Sequence, residues 1–310
     1  MADTLKPINL HLDSVTLQDI ENHKLITTKE LQRDLANLNK FEAESNENNF
    51  AGNPFLYHYQ FKNLLNCKRE KGKTVYDIWN NKDERDKLIE QTKIRNRGGR
   101  TAAGNVYECF RINLGSIVMF KSTTAKYLYK KYNAKSVLDP TAGWGGRMLG
   151  AWSLGIDYTG IDTNTNMKPA YDSMIQFLEA ERNFGNGLFE QEQTFKLNMI
   201  WQSALDVDFT KLNYDFVLTS PPYVNLELYE HMEPWQSDKA FYEQFFIPLW
   251  KKCVDNIQPG GNVAFNISPK MYEDALAHGL KVCDEEEDLK QQLGQQTGKK
   301  KQDKIYVWKC

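Results

Sequence analysis

Paired cysteines are what this chain most plainly lacks. Its five, Cys67, Cys109, Cys253, Cys283 and Cys310, are odd in number, far apart and form no C-x-x-C. That excludes a disulfide framework and a thiolate zinc site, and it favours a reducing compartment. The five histidines are equally scattered, so no metal is expected. Net charge is nearly absent too, at −2. This excludes a chain coated in positive charge but leaves room for a local basic face. The opening residues, M-A-D-T-L-K-P-I-N-L, carry no apolar signal-peptide core, and no run is long and apolar enough to span a bilayer. A soluble, cytoplasmic chain with no membrane partner is expected.

What is there suffices for a sizeable core: 310 residues, 41% of them hydrophobic. The first 40 residues read as polar and mildly helical, and Glu42 to Asn49 as a loop. Aromatic and apolar residues gather over 55–65. One charged helix is predicted over 75–95, and K-I-R-N-R-G-G-R-T (Lys93 to Thr101) then turns positive while its glycines break the helix. A helical pattern covers about Ser122 to Tyr132. From residue 136 strands and helices alternate. The strands are S-V-L-D, D-Y-T-G-I-D, T-F-K-L-N-M-I, Y-D-F-V-L-T, N-V-A-F-N-I-S and K-I-Y-V-W-K-C, and the longest helices run over Met167–Asn183 and Phe241–Ile257. The polar stretch from Glu285 to Lys301 reads as an insertion before the last strand. Such alternation predicts an α/β, Rossmann-like, doubly wound and mostly parallel sheet. A mainly helical N-terminal region over 1–100 precedes it, and 101–310 forms the sheet domain.

Directly after the first strand comes D-P-T-A-G-W-G-G-R, Asp139 to Arg147. Ligands of open α/β sheets bind outside the carboxyl ends of the strands. Glycines there let the chain turn sharply and let a ligand lie against bare main chain. Gly143 and Gly145 are the candidates, with Gly146 easing the helix start. The next strand ends at Asp162, 23 residues after Asp139, where an acid can accept hydrogen bonds from both ribose hydroxyls. Neither G-x-x-x-x-G-K-[ST] nor G-x-G-x-x-G fits, because Met148 stands three residues after Gly145. A nucleoside without phosphates therefore suits these residues better than NAD or ATP, and S-adenosylmethionine is one.

The fourth strand runs into T-S-P-P-Y, Thr219 to Tyr223. Proline fixes φ, lacks an N–H and holds the preceding residue extended. Ser220-Pro221-Pro222 is thus a stiff segment of oxygen acceptors, with the Tyr223 ring beside it. An exocyclic amine on a nucleobase is a poor nucleophile, because its lone pair is delocalised. Acceptors on its two N–H bonds draw the nitrogen toward tetrahedral geometry and free that pair, and the contribution is positioning and preorganised electrostatics. A base in a duplex must first be flipped out.

T-S-P-P-Y together with D-P-T-A-G-W-G-G resembles the amino-methyltransferase family that modifies DNA at cytosine N4 or adenine N6, over about residues 118–310. The resemblance implies a seven-stranded methyltransferase sheet, S-adenosylmethionine as cofactor, and double-stranded DNA with a flipped base as partner. Asp139, Gly143 and Gly145 would line the methionine part of the cofactor, and Pro140 and Thr141 would also bind the cofactor. Asp162 would hold the ribose, and Asp206 would lie near the adenine. Phe120 and Ser122, in M-F-K-S-T-T-A-K-Y-L, fall in the family's additional cofactor segment. Ser220, Pro221, Pro222 and Tyr223 would form the target-base site. Thr141 departs from the family, which usually carries an aromatic or Cys there. Ser as first motif residue resembles cytosine-N4 members, with adenine N6 left open. Arg95, Arg97, Arg100 and Arg111 are candidate phosphate contacts. An RNA base is the alternative substrate. A nucleic-acid-binding protein of the same fold without catalysis is the alternative from another class.

Overall fold

The computed structural model describes residues 11–45, 48–68, 72–95, 100–185, 194–222, 235–289 and 303–310. They divide into two units. The first comprises Met1–Ile26 with Gln60–Val118, and the second Thr27–Tyr59 with Met119–Cys310. The boundary expected at residue 100 falls inside the first unit.

Helices α1 (Leu17–Asn22), α2 (Thr28–Lys40), α3 (Asn53–Leu65), α4 (Val75–Asn80), α5 (Lys82–Arg95) and α6 (Ala102–Leu114) precede the sheet, and the division between the units falls within α3. Reciprocal capping boxes start three of them: Thr16 with Asp19, Thr27 with Glu30, and Thr74 with Asp77. The single helix predicted over 75–95 is two. Asn81 leaves the helical region at φ −88°, ψ 112°, and its Oδ1 accepts from the Glu84 N–H at 3.2 Å. One asparagine thus ends α4 and caps α5. Phe61, Leu64, Val106 and Phe110 form the centre of the first unit, each fully buried.

The second unit is built on strands β1 (Ser136–Asp139), β2 (Asp157–Asp162), β3 (Leu197–Trp201), β4 (Phe216–Thr219), β5 (Asn262–Ile267), β6 (Glu285–Asp288) and β7 (Lys304–Lys309). Their order is β3-β2-β1-β4-β5-β7-β6. The pairs from β3 through β5 are parallel, and β7 runs antiparallel to both β5 and β6. This is the doubly wound, Rossmann-like seven-stranded sheet expected. Helices α7 (Ser122–Lys131), α8 (Gly146–Trp152), α9 (Lys168–Gly185), α10 (Asp238–Phe241), α11 (Ile247–Asn256) and α12 (Pro269–Ala277) accompany it, with a π-helical turn over Tyr242–Phe246. The central strands are apolar throughout: Val263, Ala264, Phe265 and Ile267 of β5 are all fully buried.

Strand β6 overturns the reading of its segment as part of an insertion. E-E-E-D is charged on both faces, so no alternation marks it. It lies at the sheet edge, where its acids meet lysines: Glu286 with Lys304 at 2.9 Å, Glu285 with Lys309 at 2.6 Å and Glu287 with Lys131 at 2.7 Å. Cross-strand opposite charges and a charged edge make such a strand tenable. Among the described residues no helix is long and apolar enough to cross a membrane.

Candidate active site

The strand order reverses between β1 and β4, which places a crevice where their carboxyl ends separate. Gly143 (φ +57°) and Gly145 (φ +89°) take left-handed conformations in the turn after β1. The Ala142 N–H donates to the Ile161 carbonyl at 2.9 Å, and the Gly143 N–H to Asp162 Oδ2 at 2.8 Å. The turn is thereby stapled to the tip of β2. Asp162 Oδ1 accepts the Asn164 N–H at 2.9 Å. Burial raises the Asp162 carboxyl above its ordinary range, although these two N–H bonds pull it back. A Cβ on Gly145 would fall 2.7 Å from Met174 Cε, whereas one on Gly143 would meet nothing nearer than 3.9 Å. Gly145 therefore answers to packing below the turn, whereas a side chain at Gly143 would meet only ordinary contacts.

Beneath the turn lies a buried ion pair that the sequence did not reveal. Arg147 Nε donates to Asp139 Oδ2 at 2.6 Å, and its NH2 to the Thr141 carbonyl at 2.5 Å. The Tyr158 hydroxyl donates to the same carboxylate oxygen at 2.7 Å, and the Tyr171 hydroxyl to the Gly143 carbonyl at 2.8 Å. Burial works against the Arg147 charge, but the Asp139 carboxylate beside it prevails and holds the guanidinium protonated. Asp139, expected beside the cofactor's methionine part, is fully buried, and its carboxylate braces the turn from inside. Pro140, which stops β1, is buried as well.

Phe120 and Ser122 pack against α8. A Cβ on Gly146 would lie 1.9 Å from the Phe120 carbonyl oxygen, and one on Gly150 would lie 2.9 Å from that of Ser122. The helix approaches this closely because both positions lack a side chain. The Phe120 ring sits 5.2 Å from the Arg147 guanidinium. Ser122 is completely buried, with its Oγ close to Gly52.

On the other side of the crevice β4 ends at Thr219, whose Oγ1 lies 2.6 Å from Thr141 Oγ1. This contact ties the glycine turn to the residue preceding Ser220. It also gives Thr141, the departure from the resembling family, a partner of its own. Ser220 is half-buried, Pro221 buried and Pro222 half-buried. Asn266, at the end of the neighbouring β5, donates from Nδ2 to Ser220 Oγ at 3.1 Å, and Ser220 donates to its main-chain oxygen at 3.3 Å. Asn266 was missed because a lone asparagine in N-V-A-F-N-I carries no motif. Tyr223 lies outside the described residues.

Asp206 is exposed in the turn after β3, its N–H donating to the Ser203 carbonyl at 3.0 Å. The arginines belong to the first unit. Arg95 is exposed, Arg97 is outside the described residues, and Arg100 and Arg111 share Glu108 at 3.4 and 2.8 Å. Trp235 packs edge-on against Phe241 at 5.7 Å. Among the described residues no group of His, Cys, Asp and Glu is arranged to hold a metal.

No family model matches the chain, and no curated protein matches it. Solved structures do. TrmN from Thermus thermophilus is 17% identical with a TM-score of 0.39, over 60% of this chain and 48% of that one. The M. jannaschii tRNA m1G37 methyltransferase is 16% identical with a TM-score of 0.35, over 60% of this chain and 47% of that one. An RNA methyltransferase from Salinibacter ruber, solved in complex with S-adenosyl-L-homocysteine, is 12% identical with a TM-score of 0.34, over 62% of this chain and 93% of that one. The chain thus spans about half the length of the first two.

Proposed function

We propose that this chain transfers a methyl group from S-adenosylmethionine to an exocyclic amino group of a nucleobase in a nucleic acid. The observation that carries the reading is the 2.6 Å contact of Thr141 with Thr219, which sets the glycine turn and the Ser220-Pro221-Pro222 segment side by side.

The turn suits a nucleoside with an amino-acid tail. Gly143 presents bare main chain at the turn, where a Cβ would meet nothing nearer than 3.9 Å. Asp162 uses one acceptor position on each oxygen for the main chain, and a carboxylate has about four, so two remain for ribose hydroxyls. The bound cofactor supplies an electrophilic methyl carried on a sulfonium. The protein's own residues do the rest. Asp162 and the turn at Gly143 hold and orient the nucleoside. Ser220 and the main-chain oxygens of the proline segment accept N–H bonds of the target amine and turn its lone pair outward. Tyr223 is assigned to stack on the base. Asp139 and Arg147 act from below by fixing the turn.

The motif resemblance implies a DNA base. The solved structures above carry RNA names, and at TM-scores below 0.4 those names do not choose between the two. Both substrates therefore enter the test. The full chain is incubated with labelled cofactor and with DNA or RNA of mixed sequence, and the released nucleosides are weighed by mass. Label on an exocyclic amine is expected, and label on neither nucleic acid overturns the reading. Ser220→Ala is expected to lower transfer by about 100-fold with cofactor affinity unchanged. Asp162→Ala is expected to weaken calorimetric cofactor binding by about 1–3 kcal/mol.

A further inference from the structure

We propose that Asn266 is a positioning residue that fixes the Ser220 hydroxyl as an acceptor, so that the site takes an amino group and rejects a carbonyl at the same place. The proposal rests on the reading of Ser220 as part of the target-amine site.

β4 and β5 run parallel, with Thr219 in register with Phe265. The next residues are Ser220, just past the end of β4, and Asn266, within β5, so both lie at the carboxyl end of these strands. A hydroxyl has one hydrogen to donate and two lone pairs. The hydrogen of Ser220 goes to the main-chain oxygen of Asn266 at 3.3 Å, and one lone pair receives Asn266 Nδ2 at 3.1 Å. What is left on Oγ is a single lone pair. Ser220 alone is ambivalent, because a free hydroxyl donates to a ring carbonyl as readily as it accepts from an amine. Clamped by Asn266 at both its donor and its acceptor, it can only accept. Bases that present an amino group, such as adenine, cytosine and guanine, satisfy that lone pair. A uracil or thymine carbonyl sets acceptor against acceptor.

Asn266 is out of place as a packing residue. It interrupts the buried apolar run from Val263 to Ile267, it is itself 7% exposed, and its Oδ1 has no hydrogen-bond partner among the described residues. Asparagine is disfavoured in strands, and a buried carbonyl left unpaired is costly. A valine there would carry no unpaired carbonyl, and what the amide supplies in exchange is the Nδ2 donor to Ser220.

The test uses the full chain, with wild-type transfer as the control. Asn266→Ala is expected to lower kcat about tenfold, the worth of one hydrogen bond, while KM for the nucleic acid and cofactor affinity stay within about twofold. Adding Asn266→Ala to Ser220→Ala is expected to lower kcat no further, because the amide acts through the hydroxyl. Asn266→Asp separates positioning from packing. Its neutral carboxyl donates to Oγ as the amide does, whereas its carboxylate has no hydrogen to donate, so Oγ loses the bond that holds it. The variant's kcat is therefore expected to be near wild type at low pH and to fall as the carboxyl ionises, with no matching fall in the wild type. Wild-type kcat in Asn266→Ala, additive losses in the double variant, or an Asp variant whose profile parallels the wild type would each overturn the proposal. A wild-type protein that methylates neither nucleic acid would instead overturn the functional reading. In that event the side-chain amide signal of Asn266 in NMR still decides: it shifts on Ser220→Ala if the hydrogen bond exists and stays put if it does not.

Discussion

The two edges of the crevice are built to different standards. The β1 edge rests on a buried ion pair, two tyrosine hydroxyls and a main-chain staple to β2. The β4 edge is held by one threonine pair and one asparagine. The first is braced by charge in a place water cannot reach, and its geometry is over-determined. The second depends on a few neutral hydrogen bonds, each worth about 1 kcal/mol net. A ligand that is the same in every turnover can use the rigid edge. On the proposed function, a target that arrives within a polymer would meet the softer one.

That contrast can be broken directly. Arg147→Met strands the Asp139 carboxylate in the interior and is expected to cost about 3–5 kcal/mol in urea or thermal unfolding. A loss below about 1 kcal/mol would erase the distinction between the edges. The threonine pair comes next. Thr141→Val leaves the buried Thr219 hydroxyl without its partner and is expected to cost about 1–3 kcal/mol, Thr219→Val leaves the half-buried Thr141 hydroxyl and is expected to cost less, and the double variant is expected to be nearly neutral against the wild type. A double-mutant cycle measures this, and additive losses would mean the pair does not tie the edges together. The smallest effect lies outside the sheet and serves as a control. His23, packed against Gly104 and between Phe61 and Tyr107, is held down to about 4 by burial and by the Lys24 and Arg100 charges. The folded state thus favours the neutral ring, while the unfolded chain takes up a proton at the ordinary 6.5. Stability is expected to drop as pH falls from 6.5 toward about 4. His23→Gln is expected to flatten that slope without altering cofactor binding, as read by thermal melts across the window.

Much of the sheet could be read from residues alone, because buried strands are apolar runs that end abruptly at Pro140 or at Ser220-Pro221. The glycine turn was legible because a sharp turn after a buried strand needs glycine, and Gly143 and Gly145 are left-handed there; Asp162 was legible as the acid at the tip of β2, but its bonds to the Gly143 and Asn164 N–H groups were not. What escaped follows a common logic. β6 has no apolar face, and its pairing with β7 and its lysine partners are what show it as a strand. Arg147 reads as an ordinary polar residue opening a helix until Asp139 is found beneath it. Asn266 is one residue without a motif. Asn81 divides 75–95 by a cap that competes with a strong helical pattern. Each of these depends on a partner distant in sequence, or on local capping that composition conceals.

The interleaving of the two units bears on how the protein is made. The first unit is complete once residue 118 has left the ribosome, but residues 27–59 belong with a sheet whose strands follow. Until the later part of that unit emerges, α2, whose Leu31, Leu35 and Leu38 are buried in the finished protein, lacks later partners such as Glu181, which accepts from Gln32 at 2.9 Å. A nascent chain halted between residues 118 and 136 would therefore display a folded piece flanking a sticky helix, and such a stalled species is where chaperone engagement should concentrate.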